Sequence, residues 1–249
     1  MTRRQTVAAH TEAQKRRDYR YYDLLLAGFV AVLLCSNLIG PAKVAQTAVP
    51  LVGTTLVFGA GNLFFPISYV FGDVLTEVYG YARMRRAIWA GAAAMVFASA
   101  MAAGVIALPP SPDEPFNAEF QPALELVFGN TWRVVVASVL GFWAGDFVNA
   151  YVLAKMKVAT RGRWLWMRTI GSTLVGQGVD TLIFFPVAFG GIWTIDTLAA
   201  VVAFSWLFKV MVEVVMTPIT YLVIGGLKRL EGVDHFDTDT RFTPFTLRD

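Results

Sequence analysis

The sequence predicts an all-α polytopic membrane protein of about six transmembrane helices with both termini cytoplasmic, and three observations carry that prediction. Of its 249 residues 56% are hydrophobic and 16% charged, whereas soluble domains run near 45–50% apolar and 25% charged. Apolar runs of about 20 residues recur, the length that crosses a ~30 Å hydrocarbon core as a helix. Basic clusters separate these runs on alternate connections, as expected where Lys and Arg accumulate in cytoplasmic loops.

The apolar stretches 21–41, 61–81, 86–108, 131–154, 169–191 and 197–227 read as the helices. They divide the chain into a basic cytoplasmic tail, 1–20, a six-helix transmembrane domain, 21–230, and a polar cytoplasmic tail, 231–249. The first tail carries Arg3, Arg4, Lys15, Arg16, Arg17 and Arg20 and is too long and too charged to head a signal peptide. Arg83, Arg85 and Arg86 follow the second span, Lys155, Lys157, Arg161, Arg163 and Arg168 the fourth, and Lys228 and Arg229 the sixth, all on one side. The opposite connections hold Lys43, then the acidic, proline-rich PPSPDEPFNAEFQPALE, then IWTIDT. Residues 43–60 are rich in β-branched residues and glycine and read as an extended or re-entrant piece between the first two spans.

The same residues exclude several functions. The single Cys35 has no disulfide partner and reads as packing. His10 and His235, the only histidines, fall in the tails, so neither a zinc site nor a Ser/His membrane protease is expected, and no cofactor is implied. Ala90, Ala94, Ala98 and Ala102 form a small-residue packing ridge on the third helix. Pro66, Pro186 and Pro218 lie inside spans, where they bend helices that line cavities or pack on neighbours.

Charged residues within spans cost about 2.5–3.5 kcal/mol each on insertion scales, so those retained mark function. At about 1.5 Å per residue, Asp73, Asp180 and Lys209 reach the midplane, with Glu77, Asp146 and Glu213 one turn toward the cytoplasm. Asn37, Asn62, Asn149 and Gln177 join them, a polar set drawn from at least four helices and suited to a solute site. Asp73 and Glu77 share a helix face at i, i+4, a setting in which one carboxyl can hold a proton and couple transport to it. Glu77 alternatively pairs with Arg83 or Arg85 at the interface, with Tyr79 and Tyr81 in an aromatic belt. Lys209 can pair with Glu213 on its own helix or with Asp180 across helices. Gly176 and Gly178 flank Gln177 and leave room for a flat group beside Asp180. Arg133 reads as a snorkelling interfacial residue, and Trp164 and Trp166 as anchors. GDVLTEVY with RMR and GDFVNAY with KMK form a short internal echo.

Four blocks in order, FPISYVFGDVLTEVYGYARMRRAIW, GDFVNAYVLAKMK, STLVGQGVDTLIFFPVAF and KVMVEVVMTPITYLVIGGLKRLE, resemble the queuosine precursor transporter family, also called the vitamin uptake transporter family. The resemblance covers about Leu24 to Glu231. It implies a six-helix inner-membrane importer of 7-cyano- and 7-aminomethyl-7-deazaguanine, working as a secondary carrier or facilitator without an ATPase domain on this chain. No GxxxxGK[ST] loop is present. The matched candidates for substrate binding or proton coupling are Asp73, Thr76, Glu77, Asp146, Asn149, Gln177, Asp180, Lys209 and Glu213. A carboxylate can accept both N1–H and the exocyclic amine of such a base while an amide or ammonium donates to its carbonyl, a pairing that suits Asp180 with Gln177 or Lys209. Phe184, Phe185 and Trp206 are candidates to stack on the ring.

The expected partners are thus a small purine-like solute and the lipid bilayer, with no nucleic acid. A homo-oligomer and a separate energising module are both compatible, the latter if the chain is a substrate-capture subunit. A remote alternative is an intramembrane aspartyl protease using Asp73 and Asp146, although Val70 stands where the GxGD pattern needs glycine.

Overall fold

The computed structural model describes residues 19–38, 44–49, 54–59, 65–129 and 132–246. The first eighteen residues with their basic cluster and His10, and also Lys43 and Asn62, lie outside the described residues. In chain order the elements are α1 (Tyr22–Leu38), β1 (Val44–Val49), β2 (Thr54–Gly59), α2 (Phe65–Tyr79), α3 (Tyr81–Ala107), α4 (Asn117–Phe128), α5 (Trp132–Ala159), α6 (Leu165–Phe189) and α7 (Ile195–Glu231).

Each of the six expected stretches contains a helix among the described residues. Four of them, α3, α5, α6 and α7, are long and apolar enough to cross a bilayer, and α1 is a shorter apolar helix. The extended piece is an antiparallel hairpin in which β1 pairs with β2 from Val44↔Gly59 to Val49↔Thr54. Two boundaries differ from the sequence reading. The acidic loop contains the helix α4, because Asn117 to Phe128 hold strong helix formers around Pro122 in the second turn. Arg83, Arg85 and Arg86 form the first turns of α3 rather than a connection, since the break is a single residue, Gly80, at φ 85°.

The helix α2, only 15 residues long, is the centre of the bundle. It packs against α1, α3, α5 and α7, and at about 1.5 Å per residue it is shorter than the hydrocarbon core. From Gly72 to Tyr81 every side chain or backbone position is buried. Val74, Leu75 and Val78 on α2 meet Phe29 of α1, Met84 and Ile88 of α3, Ala150 and Ala154 of α5 and Ile224 of α7 in one core. A helix screened from lipid on all sides can carry carboxylates that a lipid-facing helix cannot. The outer faces are apolar, with Phe97, Leu182, Phe204 and Leu222 exposed.

Helices α5 and α6 lie against each other through glycines. A Cβ at Gly145 would stand 2.6 Å from Asp180 Cβ, and one at Gly176 would stand 2.6 Å from Asn149 Cβ. Gly141 and Gly145 are four apart, so this is the small-xxx-small contact that lets backbones approach in a membrane. The alanine ridge on α3 is less complete: Ala98 is buried, Ala90, Ala94 and Ala102 are half-buried, and Gly91 is the residue pressed against Leu33 and Phe142.

The C-terminal segment 232–246 docks on the end of the bundle where α2 stops and α3 begins. Asp237 accepts the Tyr81 N–H with both carboxylate oxygens, at 3.2 and 3.1 Å, and so caps α3, whose own N-cap is a glycine. Arg85 donates to the carbonyls of Arg241 and Thr243, each at 3.0 Å, and Trp89 Nε1 donates to that of Pro244 at 2.7 Å. Phe242 stacks against Tyr81 and Tyr151.

Several single-residue expectations are corrected. Cys35 is exposed on α1 rather than packed. Tyr79 and Tyr81 are buried, at 1% and 2% exposure, and belong to the core instead of a belt. Arg133 donates to the carbonyls of Val187 and Gly190, closing the C-terminal end of α6 where free carbonyls and the helix dipole favour a cation. Trp164 and Trp166 are exposed, as anchors would be.

Candidate functional site

The intramembrane polar residues fall into three groups at successive depths. The outermost joins Asp180 of α6 to Lys209 of α7 in an ion pair and hydrogen bond, leaving the two side chains 19% and 22% exposed. The Tyr69 hydroxyl of α2 also bonds to the Lys209 ammonium, and Asp146 of α5 lies within electrostatic range of both Asp180 and Lys209. Four helices therefore converge on one ammonium group. Of the two partners open to Lys209 from sequence, the cross-helix one is made, because Gly141 and Gly145 let Asp180 settle against α5 and face α7.

Between α6 and α7 runs an apolar groove of about 500 Å³, lined by Gly178, Thr181, Leu182, Pro186, Ile195 and Trp206 among others and opening on the outer face where Leu182 and Ile195 are exposed; neither Asp180 nor Lys209 lines it. Gly178 faces Trp206, whose Nε1 donates to the Leu174 carbonyl at 2.8 Å and fixes the indole. The space expected beside the two glycines is thus at Gly178 alone, since Gly176 is spent on the α5 contact. Phe184 and Phe185 pack edge-to-face on each other and onto Phe189, away from the cavity lining.

The middle group is Asp73 with Asn149 and Glu213. Asn149 Nδ2 donates to Asp73 Oδ1 at 3.1 Å. Glu213 of α7, 1% exposed, lies within electrostatic range of Asp73. Gln177 is buried on α6 next to Gly176, which seats on Asn149. Asp73 Oδ2, Asn149 Oδ1, Gln177 Oε1 and both Glu213 carboxylate oxygens have no hydrogen-bond partner among the described residues. The group is rich in buried acceptors and poor in donors. Thr76 plays no part here, its hydroxyl donating to the Gly72 carbonyl of its own helix.

The innermost group surrounds Glu77. Arg168 Nη2 donates to its Oε1 at 2.8 Å, Lys228 at 2.7 Å, and Lys157 stands at 3.4 Å while donating to the Glu77 backbone carbonyl at 2.6 Å. Asp234 of the C-terminal segment closes the network on Lys157 and Lys228 at 2.6 and 2.7 Å. Burial opposes the charge of Asp234, but the hydrogen bonds from the two lysines outweigh it and hold its carboxyl below the usual aspartate range. The expectation that Glu77 pairs with Arg83 or Arg85 is corrected. Gly80 turns the chain after α2, sending Arg83 over the Tyr19 ring and Arg85 to the C-terminal segment.

Asn37 bonds to the Leu33 carbonyl of its own helix and stands outside these groups. Sequence reading missed Tyr69 and Asp234, and treated Lys157, Arg168 and Lys228 as orientation signals only. The available clue was burial cost: a carboxyl one turn inside a basic rim needs cations from whichever helices end beside it.

A profile of the family described as "Putative vitamin uptake transporter" matches residues 59–223. A protein of Bacillus subtilis (strain 168) named "Probable queuosine precursor transporter" is 34% identical over 196 residues, spanning 78% of this chain and 80% of that protein. No solved structure matches the chain.

Proposed function

The chain belongs to the vitamin uptake transporter family as a multi-pass membrane protein and not an enzyme, and from that premise we propose that it imports 7-deazaguanine precursors of queuosine across the cytoplasmic membrane. It acts as a secondary carrier or facilitator for 7-cyano- and 7-aminomethyl-7-deazaguanine. The name of the Bacillus subtilis relative supports the cargo. The aspartyl protease alternative falls with the family.

The observation that carries the reading is the partly exposed Asp180–Lys209 pair, held between helices and flanked by Tyr69 and Asp146. A flat base would seat at this pair. Its N1–H and exocyclic amine would donate to Asp180, and its carbonyl would accept from Lys209. Exchange of one ion-pair partner for the base keeps every charge solvated by hydrogen bonds as the solute enters. Tyr69 and Asp146 hold Lys209 in place meanwhile. Glu77 is an anchor at the cytoplasmic end.

Uptake tests this. Cells that cannot make the precursors, but express this chain, accumulate labelled 7-cyano- or 7-aminomethyl-7-deazaguanine above the empty-vector level. Equal uptake in both would remove the cargo assignment.

A further inference from the structure

We infer that Asp73 and Glu213 together form a proton-binding site that couples solute movement to a proton; the coupling rests on the carrier reading above, whereas the site itself does not. Sequence spacing joins Asp73 to Glu77, but Glu77 is taken by Arg168, Lys228 and Lys157. Asp73 is instead buried on the helix that packs against α7, within electrostatic range of the buried Glu213.

Both side chains are out of solvent, Asp73 at 0% and Glu213 at 1% exposure. Asp73 has one oxygen bonded, to the Asn149 amide, and one bare; Glu213 has two bare oxygens among the described residues. Asn149 Oδ1, in the same group, is also an unpartnered acceptor. What this group lacks among the described residues is a donor, and a proton held on one of the carboxyls supplies one.

The groups facing the pair offer no alternative. From α5 come Asp146 and the Asn149 amide, and from α2 itself Glu77, which add only negative charge or a neutral donor. The cations near by are engaged: Lys209 by Asp180 and Tyr69, and Lys157, Arg168 and Lys228 by Glu77. On α3, Arg85 is turned to the carbonyls of the C-terminal segment, and on α1 the ionisable residues are Tyr22, bonded to the Arg83 carbonyl, Asp23 in the first turn and the exposed Cys35. Two ionised carboxylates placed together without a cation and out of water are far costlier than a protonated pair. Chemically the step is simple. A carboxylate oxygen takes a proton from hydronium, releasing water, and returns it to water on the other side, with no electron transferred.

The test reconstitutes the full chain in liposomes and has two arms. The first compares accumulation of labelled 7-deazaguanine base driven by an inward proton gradient with exchange of the base at equal pH on both sides. The wild-type protein should accumulate the base, and Glu213→Gln should lose accumulation while keeping exchange. The second follows the carboxylic-acid carbonyl stretch by infrared difference spectroscopy during a pH titration, without any base present. The wild-type protein should show a titrating carboxylic-acid band that Glu213→Gln and Asp73→Asn each alter. Undiminished gradient-driven accumulation by Glu213→Gln would overturn the coupling. A wild-type spectrum with no such band would overturn the site. Failure of the wild-type protein to exchange any base defeats the cargo assignment and its coupling, while the infrared arm still decides the site.

Discussion

Arg168 Nη2 bonds to Glu77 Oε1 at 2.8 Å although the two residues are 91 positions apart, and both are sealed from solvent. This contact ties the start of α6 to the end of the central helix, with Lys157 and Lys228 adding the ends of α5 and α7. One carboxylate thus gathers the ends of four helices on one side of the bundle. Asp73, one turn away, is left to a different chemistry.

Glu77→Gln should therefore be a folding lesion. It strands buried cations, and breaking a buried pair from one side costs about 3–5 kcal/mol. Thermal unfolding of the detergent-solubilised protein should show a large drop for Glu77→Gln and a much smaller one for Asp73→Asn. Equal losses would contradict the division of roles.

Gly145→Ala should damage both stability and transport. Its new methyl would lie 2.6 Å from Asp180 Cβ, and overpacking of this kind costs about 1–3 kcal/mol. Relief requires moving Asp180 away from Lys209. Gly178→Ala, whose methyl meets Trp206 at an ordinary 3.4 Å, should fold normally and leave the Asp180–Lys209 pair and transport intact. Parallel unfolding and uptake measurements distinguish the two.

Docking of segment 232–246 should weaken in acid. For Asp237, burial opposes the charge, yet hydrogen bonds from His235, Thr240 and the Tyr81 N–H prevail and hold its carboxyl below the usual range, as the lysines do for Asp234. A carboxyl depressed in the folded state contributes stability that is present above its unfolded value, about pH 3.9, and lost as pH falls toward the folded one. Amide hydrogen exchange at Tyr81 and along the segment should be slow near neutrality and quicken below about pH 4. Asp237→Ala should give the quickened exchange at neutral pH, with a loss of about 0.5–2 kcal/mol for the missing cap.

Among the described residues, hydropathy located six of the seven helices, because a bilayer-spanning run is a local property of the sequence. It missed α4, whose acids and Pro122 resemble a loop until they coil outside the hydrocarbon. The Asp180–Lys209 pair was one of two open choices, and the glycines that decided it, Gly141 and Gly145, act through a neighbouring helix that no spacing rule displays. Glu77 was assigned to the arginines nearest in sequence. A single left-handed glycine, Gly80, redirected those arginines and left Glu77 to residues 80 to 151 positions away. Local pattern thus supplied the candidates, and tertiary packing divided them into roles.

The central claim is that Asp180, paired with Lys209, receives a deazaguanine base. Equilibrium binding of labelled 7-cyano- and 7-aminomethyl-7-deazaguanine to the purified protein tests it most directly, with Asp180→Asn as the comparison. The wild-type protein should bind saturably and a folded Asp180→Asn variant should not; wild-type binding by that variant would overturn the assignment of Asp180.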